Sequence, residues 1–327
     1  MHSSGVWRGV AAYVLWGLFP LYWTALETIP ALQIVSHRIV WSFLVLIPLV
    51  LGSRYRDVRR RSQQPPGATP IGLIDVRAVL PIYSAAALLI GLNWFLYVWG
   101  VNHGLVIGTS LGYFITPLVN VLLGVVILRE SLRALQWLAV AIAAAGVLYL
   151  WWAYGTLPWI ALVLAGTFGT YGLVKKKAPM APLFGLTVET GILFVPALIF
   201  LVAVEVNGSG AFGHAGTRTT ILLTGAGFVT TLPLLLFASA VQLVPLSTVG
   251  LLQYISPTIQ FLLGVFVYRE PFARTQLIGF TIVWIALAVF GVDGYVANAQ
   301  PVRAGSGEPV IGRSGRPEGR PLRDSRL

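Results

Sequence analysis

Residues 117–130 read PLVNVLLGVVILRE, and residues 257–270 read PTIQFLLGVFVYRE. The two stretches agree, without a gap, at the proline, at Leu-Leu-Gly-Val and at Arg-Glu. The same offset of 140 residues also pairs Leu111 with Leu251 and Gln136 with Gln276. A chance match between apolar runs explains shared leucines, but hardly a shared proline, glycine and Arg-Glu pair as well. The sequence therefore predicts that the two halves of the chain arose by duplication.

The composition indicates a membrane protein. The chain has 327 residues, of which 57% are hydrophobic and 10% charged, and its mean hydropathy is +0.81. A surface that faces water cannot be built from so few charged residues. The apolar runs are about 18 to 24 residues long, which is the length that an α-helix needs to cross the hydrocarbon of a bilayer. Helices are expected because they satisfy their own backbone hydrogen bonds in lipid.

Ten apolar runs are predicted to be membrane-spanning helices. They cover residues 7–26, 36–51, 78–101, 106–128, 134–153, 157–174, 183–204, 219–241, 246–268 and 273–293. Five of these crossings separate the first Arg-Glu pair from the second. Because five is an odd number, equivalent loops of the two halves lie on opposite faces of the membrane. The repeats are therefore predicted to be inverted.

The predicted fold class is an all-α integral membrane protein with ten transmembrane helices in two inverted five-helix repeats. The first repeat is expected to span residues 1–153 and to include the basic loop 52–77, and the second is expected to span 154–295. Residues 296–327 are rich in proline, glycine and arginine and have little apolar surface to bury. We expect them to form a disordered, basic cytoplasmic tail.

Lysine and arginine predict the orientation. These residues are concentrated in the loop 52–77, at positions 175–177 and in the tail, all on one side of a ten-helix topology that has both termini inside. Positive loops remain in the cytoplasm, so both termini are expected there, in a bacterial inner membrane. The formal charge of +11 then follows from topology and tail. Nucleic-acid binding is not expected, because no basic soluble domain with stacking aromatics is present.

The residue types that carry catalysis or hold cofactors are sparse. The chain has no cysteine and four histidines without ligand-like spacing. It has no phosphate-binding glycine loop, no GxSxG and no paired carboxylates of the hydrolytic type. The sequence therefore predicts neither an enzyme nor a bound cofactor or metal.

Inverted repeats favour a transporter. One packing arrangement used in two orientations can open a central site to either side of the membrane in turn. The alternative is that duplication built a stable bundle that serves as a membrane sensor or as a partner subunit. An intramembrane enzyme is a third reading, which requires a polar dyad or a metal site.

The fourth and ninth predicted helices carry matched polar stripes. Pro117 and Pro257 remove one backbone donor each and are predicted hinges. Helical spacing places two polar side chains on the same face as each proline. Tyr254, which follows the first of the two glutamines in the second stripe, is added to them. The resulting substrate-binding candidates are Tyr113, Asn120, Gln253, Tyr254 and Gln260. Hydrogen bonding between helices explains any single one of these residues equally well.

The second predicted helix begins with His37 and Arg38, followed by Trp41 one turn later. These three residues are candidates for the substrate site, because Arg38 is suited to bind a carboxylate or a phosphate. Two structural alternatives exist for Arg38. It can pair with Glu27 across the outer loop, or its long side chain can extend to the membrane surface.

The third and seventh predicted helices supply the remaining candidates. Asn93, Trp94 and Tyr97 combine amide, indole and phenol groups and are expected to line an amphipathic pocket. Glu189 is a carboxyl inside a span, where ionisable residues usually serve a function. It is the candidate for proton coupling. The alternative is a structural glutamate that stays protonated or pairs with an arginine.

Several segments together resemble the RarD branch of the EamA-type drug/metabolite transporter superfamily. They are WGLFPLYW from Trp16, HRIVWS from His37, NWFLYVW from Asn93, SLGYFITPLVNVLLG from Ser110, QWLAV from Gln136, YGLVKKK from Tyr171 and QYISPT from Gln253. The resemblance implies a ten-helix inner-membrane permease that works in export. Related sequences carry a glutamate where this chain has Gly108, which leaves Glu189 as the membrane carboxyl at an aligned position.

We therefore expect a permease that exports small amphipathic metabolites or drugs by alternating access. Its site is expected between the second, third, fourth, seventh and ninth helices. Its expected partners are the lipid bilayer, a small-molecule substrate and, as the candidate coupling ion, protons. The sequence does not indicate an oligomeric state.

Overall fold

The computed structural model describes residues 3–61, 76–103, 105–155, 157–269 and 274–299. Within these ranges the regular elements are all helical. They are α1 (Ser3–Gly17), α2 (Phe19–Trp23), a 3-10 turn (Thr24–Leu26), α3 (Ala31–Arg61), α4 (Val76–Asn102), α5 (Val106–Val126), α6 (Ala134–Tyr154), α7 (Trp159–Lys177), α8 (Pro182–Val206), α9 (Thr217–Leu243), α10 (Leu246–Leu252), α11 (Ile255–Phe266) and α12 (Arg274–Ala299).

Ten membrane crossings can be assigned to these helices. Nine segments in the described part of the chain are long and apolar enough to span a bilayer. The remaining crossing, the sixth along the chain, is α7, which ends in three lysines that lower its hydropathy. The first crossing consists of α1, α2 and the 3-10 turn, and the ninth consists of α10 and α11. The all-α integral membrane fold predicted from the sequence is confirmed.

The helix contacts repeat when the two halves are exchanged. In the first half α1 packs against α9 of the second. The equivalent of α1 is α7 and the equivalent of α9 is α4, and these two helices also pack together. The contact of α3 with α9 recurs in the same way as the contact of α8 with α4. The equivalent pairs α3–α8, α5–α10 and α6–α12 pack against each other directly. This pattern is that of two inverted repeats.

The backbone at the ends of α5 and α11 repeats as well. Arg129 has φ 55° and Arg269 has φ 52°, and these are the only non-glycine residues with positive φ in the described ranges. A left-handed residue after a helix is usually glycine, because other side chains there cost about 1 to 2 kcal/mol. The two arginines are 140 positions apart. The duplication thus preserves an unfavourable backbone conformation, which chance similarity does not explain.

The two sides of the membrane can be told apart by the position of the N-terminal helix. We call the side on which Ser3 lies the N side, and the opposite side the far side. The described termini, Ser3 and Ala299, both lie on the N side because the chain crosses ten times. Much of the predicted tail, residues 300–327, lies outside the described residues, as do Glu270 and positions 62–75 of the predicted basic loop. Helix α12 continues to Ala299, three residues beyond the predicted start of the tail.

Candidate functional site

A cavity of about 410 Å³, here called the central cavity, lies between the two repeats. On α3 its lining residues fall within Ala31–Arg38, and on α5 they fall within the first eleven positions, so the cavity occupies the far-side half. Eight aromatic side chains line it: Tyr13, Trp16, Phe19, Trp23, Trp94, Tyr97, Tyr113 and Phe168. Its volume lies in the range of small-molecule sites in proteins, which are mostly apolar with a few polar groups.

A break in the first crossing helps to form the cavity. Pro20 lacks a backbone N–H, and α1 ends at Gly17 before a short second helix begins. The carbonyl four residues before Pro20, that of Trp16, is therefore without its helical donor. The side-chain amide of Gln260 donates to this carbonyl at 3.2 Å. The break thus ties the first crossing to the ninth across the cavity wall.

Arg38 is the only charged residue among the described lining residues of the central cavity. Its Nε donates to the hydroxyl of Thr230 at 3.0 Å. The centre of its guanidinium lies 4.9 Å from the ring centroid of Trp23 and 4.7 Å from that of Trp94. Aromatic faces attract a guanidinium but do not accept its hydrogen bonds in the way a carboxylate does. The cation is held in place without being neutralised.

The candidates on α4 and the first tyrosine on α5 also line the central cavity. The rings of Tyr97 and Tyr113 meet edge to face, with their centroids 6.0 Å apart, and both side chains are partly exposed. The side-chain amide of Asn93 donates to the carbonyl of Leu164 and to the hydroxyl of Thr167, both at 2.9 Å. Asn93 therefore uses its amide donors to join α4 to α7.

The ninth crossing is broken beside the cavity. Helix α10 ends at Leu252 and α11 begins at Ile255, just before Pro257. Gln253, at the break, lines the cavity and accepts a hydrogen bond from the amide of Asn120 at 2.9 Å. Pro257 has no N–H to donate to the Gln253 carbonyl, which instead accepts the Ser256 N–H at 3.1 Å.

The matched proline on α5 lies in a different local structure. Helix α5 runs without interruption through Pro117, although the two prolines occupy equivalent positions. Pro117 and the buried Asn120 do not line the central cavity, whereas Pro257 and Gln260 do. Tyr254 is fully buried, and its hydroxyl donates to the carbonyl of Phe114, its own equivalent in the first repeat, at 3.1 Å.

His37 and Trp41 lie on another face of α3. The ring of His37 stacks on Phe212 with the centroids 5.2 Å apart, and the ring of Trp41 lies 5.8 Å from the same phenylalanine. His37 lines a second cavity of about 230 Å³ near Glu205 on the far side. The structure thus separates these two candidates from Arg38, their neighbour in the sequence.

Glu189 lies outside the central cavity, in the N-side half. It is 1% exposed and accepts hydrogen bonds from Lys175 at 2.7 Å and from the hydroxyl of Tyr171 at 3.1 Å. The ammonium of Lys175 is equally buried. The sequence reading allowed a pairing partner for Glu189 but named arginine. The partner is a lysine of the previous helix, which charge counting assigns to a loop.

Polar contacts close the N-side half of the molecule. The carboxylate of Glu130, after α5, accepts the backbone N–H of Leu246 at 2.6 Å and that of Ser247 at 2.9 Å, and so caps α10. The ammonium of Lys176 donates to the carbonyl of Val244 at 2.5 Å. Arg8 on α1 donates to the hydroxyl of Ser239 on α9. The contacts of Glu130 and Arg8 join the two repeats, that of Lys176 lies within the second repeat, and all three lie on the N side of the central cavity.

Several residues of the central cavity were not among the candidates from the sequence. They are Tyr13, Trp16, Phe19, Trp23 and Phe168. Thr230, which is outside the lining but positions Arg38, was not a candidate either. A signal for the first crossing was present, because a proline inside an apolar run that carries aromatics on one face is typical of a broken helix around a site. For Thr230 the sequence holds no such signal, since a single threonine in a span is common.

Comparisons with known proteins agree with this architecture. The sequence profile of the EamA-like transporter family matches residues 3–152 and again residues 157–292. The chain is 44% identical over 291 residues to an uncharacterised transporter, YojE, of Bacillus subtilis strain 168, and the match covers 88% of this chain and 93% of YojE. It is 41% identical over 310 residues to the protein RarD of Streptomyces exfoliatus, covering 94% and 95% of the two chains.

A solved crystal structure shares the fold. It superimposes with a TM-score of 0.65 at 16% sequence identity, covering 90% of this chain and all of the other. At that identity the likeness bears on the fold alone. The family matches in both halves and the relatives along nearly the whole length lead to the same assignment: the chain belongs to the EamA-like transporter family, in its RarD branch.

Proposed function

We propose that the protein is a secondary-active transporter that exports small amphipathic molecules across the bacterial inner membrane by alternating access. One observation carries this proposal. The central cavity of about 410 Å³ occupies the far-side half between the repeats, while polar contacts such as that of Glu130 with α10 close the N-side half. A site that is closed on one side only is one of the two states that alternating access requires.

The second state is expected to arise from the inverted symmetry. In the present state the ninth crossing is broken beside Pro257, while the fourth crossing is continuous through Pro117. If the two repeats exchange conformations, α5 bends at Pro117 and the ninth crossing straightens. The cavity then closes on the far side and opens on the N side. The two prolines thus act as alternate hinges in this mechanism.

The orientation follows from positive charge. The lysines at the end of α7 and the arginines of the loop 52–77 belong to the N side. Since positive segments remain in the cytoplasm, the N side is assigned to the cytoplasm together with both termini. The far side then faces the periplasm, and the cavity faces outward, ready to release an exported molecule.

Glu189 is the proposed proton-coupling residue. In the closed N-side half its charge is compensated by Lys175 on the neighbouring α7. When the N side opens and α7 moves relative to α8, the carboxylate loses this partner. A buried carboxylate without a partner neutralises by binding a proton. Proton uptake would then accompany the change of state, which links transport to the proton gradient.

The experiment that tests alternating access uses the natural absence of cysteine. Single thiols are introduced by Ala31→Cys, which lies on the far-side wall of the cavity, and by Ala240→Cys, which is fully buried on the N side. A membrane-impermeant thiol reagent added to the periplasmic face is expected to label position 31 and not position 240. Added to the cytoplasmic face of inverted vesicles under an imposed proton gradient, it is expected to label position 240. Under an equivalent gradient, labelling of position 31 from the periplasmic face is expected to fall.

Flux completes the test. The protein in proteoliposomes, supplied with a panel of labelled metabolites and drugs, is expected to exchange at least one of them across the bilayer. Labelling at positions 31 and 240 that does not change under any gradient or compound contradicts alternating access. Binding of compounds without any flux would instead identify a membrane sensor.

A further inference from the structure

Most N–H donors of the Arg38 guanidinium have no acceptor among the described residues. A guanidinium carries five N–H groups, and the one on Nε is used by Thr230. Among the described residues, no carboxylate, carbonyl or hydroxyl accepts a hydrogen bond from the two terminal nitrogens. The residue nevertheless lines the central cavity. Four hydrogen-bond donors of a permanent cation therefore remain for water or for a ligand.

The surroundings keep the charge in place without cancelling it. Phe19, Trp23 and Trp94 surround the guanidinium, with ring centroids 5.9, 4.9 and 4.7 Å from its central carbon. Such contacts restrict the side chain and leave its edge available for hydrogen bonds. No aspartate or glutamate occurs among the described residues that line the cavity. The described lining of the cavity therefore carries a single positive charge among eight aromatic side chains.

We propose that the transported molecules are organic anions with a single carboxylate, which Arg38 binds, and with an apolar, preferably aromatic, body that packs against the rings of the central cavity. This inference rests on the proposed transport function and specifies its substrate class. The two planar terminal nitrogens of Arg38 match the two oxygens of a carboxylate. A phosphate dianion would leave one charge without a cation in this site, and a cationic drug would be repelled by Arg38.

The test uses compounds of matched size whose terminal groups are anionic, neutral or cationic. Phenylacetate, phenylacetamide and phenethylamine share a ring and a similar length, and naphthyl and indolyl analogues enlarge the body. The full chain is purified in detergent without added lipid and titrated with each compound. The rise in its unfolding temperature with compound concentration gives the affinity. We expect carboxylates to bind at least about tenfold more tightly than their amides and amines, because hydrogen bonds to charged groups are that strong.

Three variants assign the effect to Arg38. Arg38→Gln is expected to remove the preference for carboxylates, and Arg38→Lys is expected to retain part of it as a point charge. Arg56→Gln is the matched control, since Arg56 lies at the other end of α3 and, among the described residues, donates only to the carbonyl of Gly52. Equal binding of the three charge forms, binding of no carboxylate in the panel, or a preference that survives Arg38→Gln overturns the inference.

An anionic lipid headgroup could bind Arg38 through the same chemistry as a free anion, so a separate titration with lipids is needed. The titration is repeated with phosphatidylglycerol and with phosphatidylcholine in place of the compounds. Stabilisation by phosphatidylglycerol that depends on Arg38 and competes with carboxylates would replace the substrate proposal with a lipid site. Flux in proteoliposomes separates the two levels of inference. Transport of neutral or cationic compounds alone would support the transport function and contradict the carboxylate substrate class. Binding of carboxylates without flux would support recognition of carboxylates and contradict the transport function.

Discussion

Arg38 and Lys175 are two cations inside the membrane spans, and their surroundings differ in a way that separates the two halves of the molecule. Lys175 is 1% exposed and lies 2.7 Å from Glu189, in the closed N-side half. Arg38 faces the central cavity of the far-side half, where aromatic rings and Thr230 hold it. A charge in a span with an internal counter-ion belongs to the closed structure, whereas a charge without one is suited to bind a ligand.

The largest expected effect comes from breaking the pair of Lys175 and Glu189. Glu189→Gln leaves a fully buried ammonium without a counter-ion, which is expected to lower the free energy of unfolding by about 3 to 5 kcal/mol. Thermal unfolding of the purified protein measures the loss, monitored with a dye whose fluorescence does not depend on thiols, because the chain has no cysteine. Glu205→Gln is the control, because Glu205 pairs with His214 at the exposed far side.

The comparison also predicts how the loss can be recovered. The double variant Lys175→Met with Glu189→Leu replaces both charges by apolar groups and is expected to regain much of the stability, since a buried pair contributes little net free energy. Transport in that variant is expected to lose its dependence on a proton gradient. If Glu189→Gln unfolds at the same temperature as the wild-type chain, the pair does not hold the N side together.

The second-largest effect is expected at the contact between α9 and α3, the helix that carries Arg38. A Cβ atom on Gly227 of α9 would lie 2.3 Å from the carbonyl carbon of Trp41 on α3, and the hydroxyl of Ser42 already donates to the Gly227 carbonyl at 3.1 Å. Gly227→Ala must therefore push the two helices apart. We expect a loss of about 1 to 3 kcal/mol in stability and weaker binding of carboxylates, because Thr230 on the same helix positions Arg38.

Gly166 provides the matched control for that prediction. A Cβ atom there meets no atom within 4 Å. Gly166→Ala lies inside α7 and is expected to be neutral or to stabilise the protein by up to about 1 kcal/mol, since alanine favours the helix. Equal behaviour of the two alanine variants in thermal unfolding would show that the contact between α3 and α9 is not tight at Gly227.

A smaller effect is expected at the cap of α10. The Glu130 carboxylate accepts two backbone N–H groups and the hydroxyl of Ser247 at 2.6 Å. Glu130→Gln removes the charge that favours these bonds and is expected to cost about 1 kcal/mol. The reactivity of Ala240→Cys from the cytoplasmic side should then rise by roughly fivefold to tenfold as the N side opens more often. Glu27→Gln, on an exposed far-side position, should leave that reactivity unchanged.

The sequence predicted the parts of the fold that depend on local properties. Ten apolar runs predicted the ten crossings. The motif at 117–130 and 257–270 predicted the duplication, and the five crossings between its two copies predicted the inversion. The conformation at the matched prolines could not be predicted in this way. Pro117 and Pro257 have the same intrinsic preference, yet only the second lies beside a break. Which of two equivalent helices is broken depends on the packing around each proline and not on the proline alone.

The candidate site shows the same limit. Among the candidates chosen as polar residues in spans, Arg38, Asn93, Tyr97 and Gln253 line the central cavity, and their role in binding stays a prediction. Partners could not be predicted, because a hydrogen bond between distant helices depends on packing. Asn120 meets Gln253, 133 positions away in the chain.

The smallest predicted effect concerns the break in the first crossing, which joins the wall of the cavity to the ninth crossing. Gln260→Leu removes the donor that satisfies the Trp16 carbonyl, and a hydrogen bond between membrane helices contributes about 0.6 kcal/mol. In the background of Pro20→Ala the carbonyl regains a helical N–H donor, so the same substitution should cost less. A double-mutant cycle of thermal stabilities measures the difference. A cost that is equal in both backgrounds would mean that Pro20 is not the reason why the Trp16 carbonyl needs Gln260.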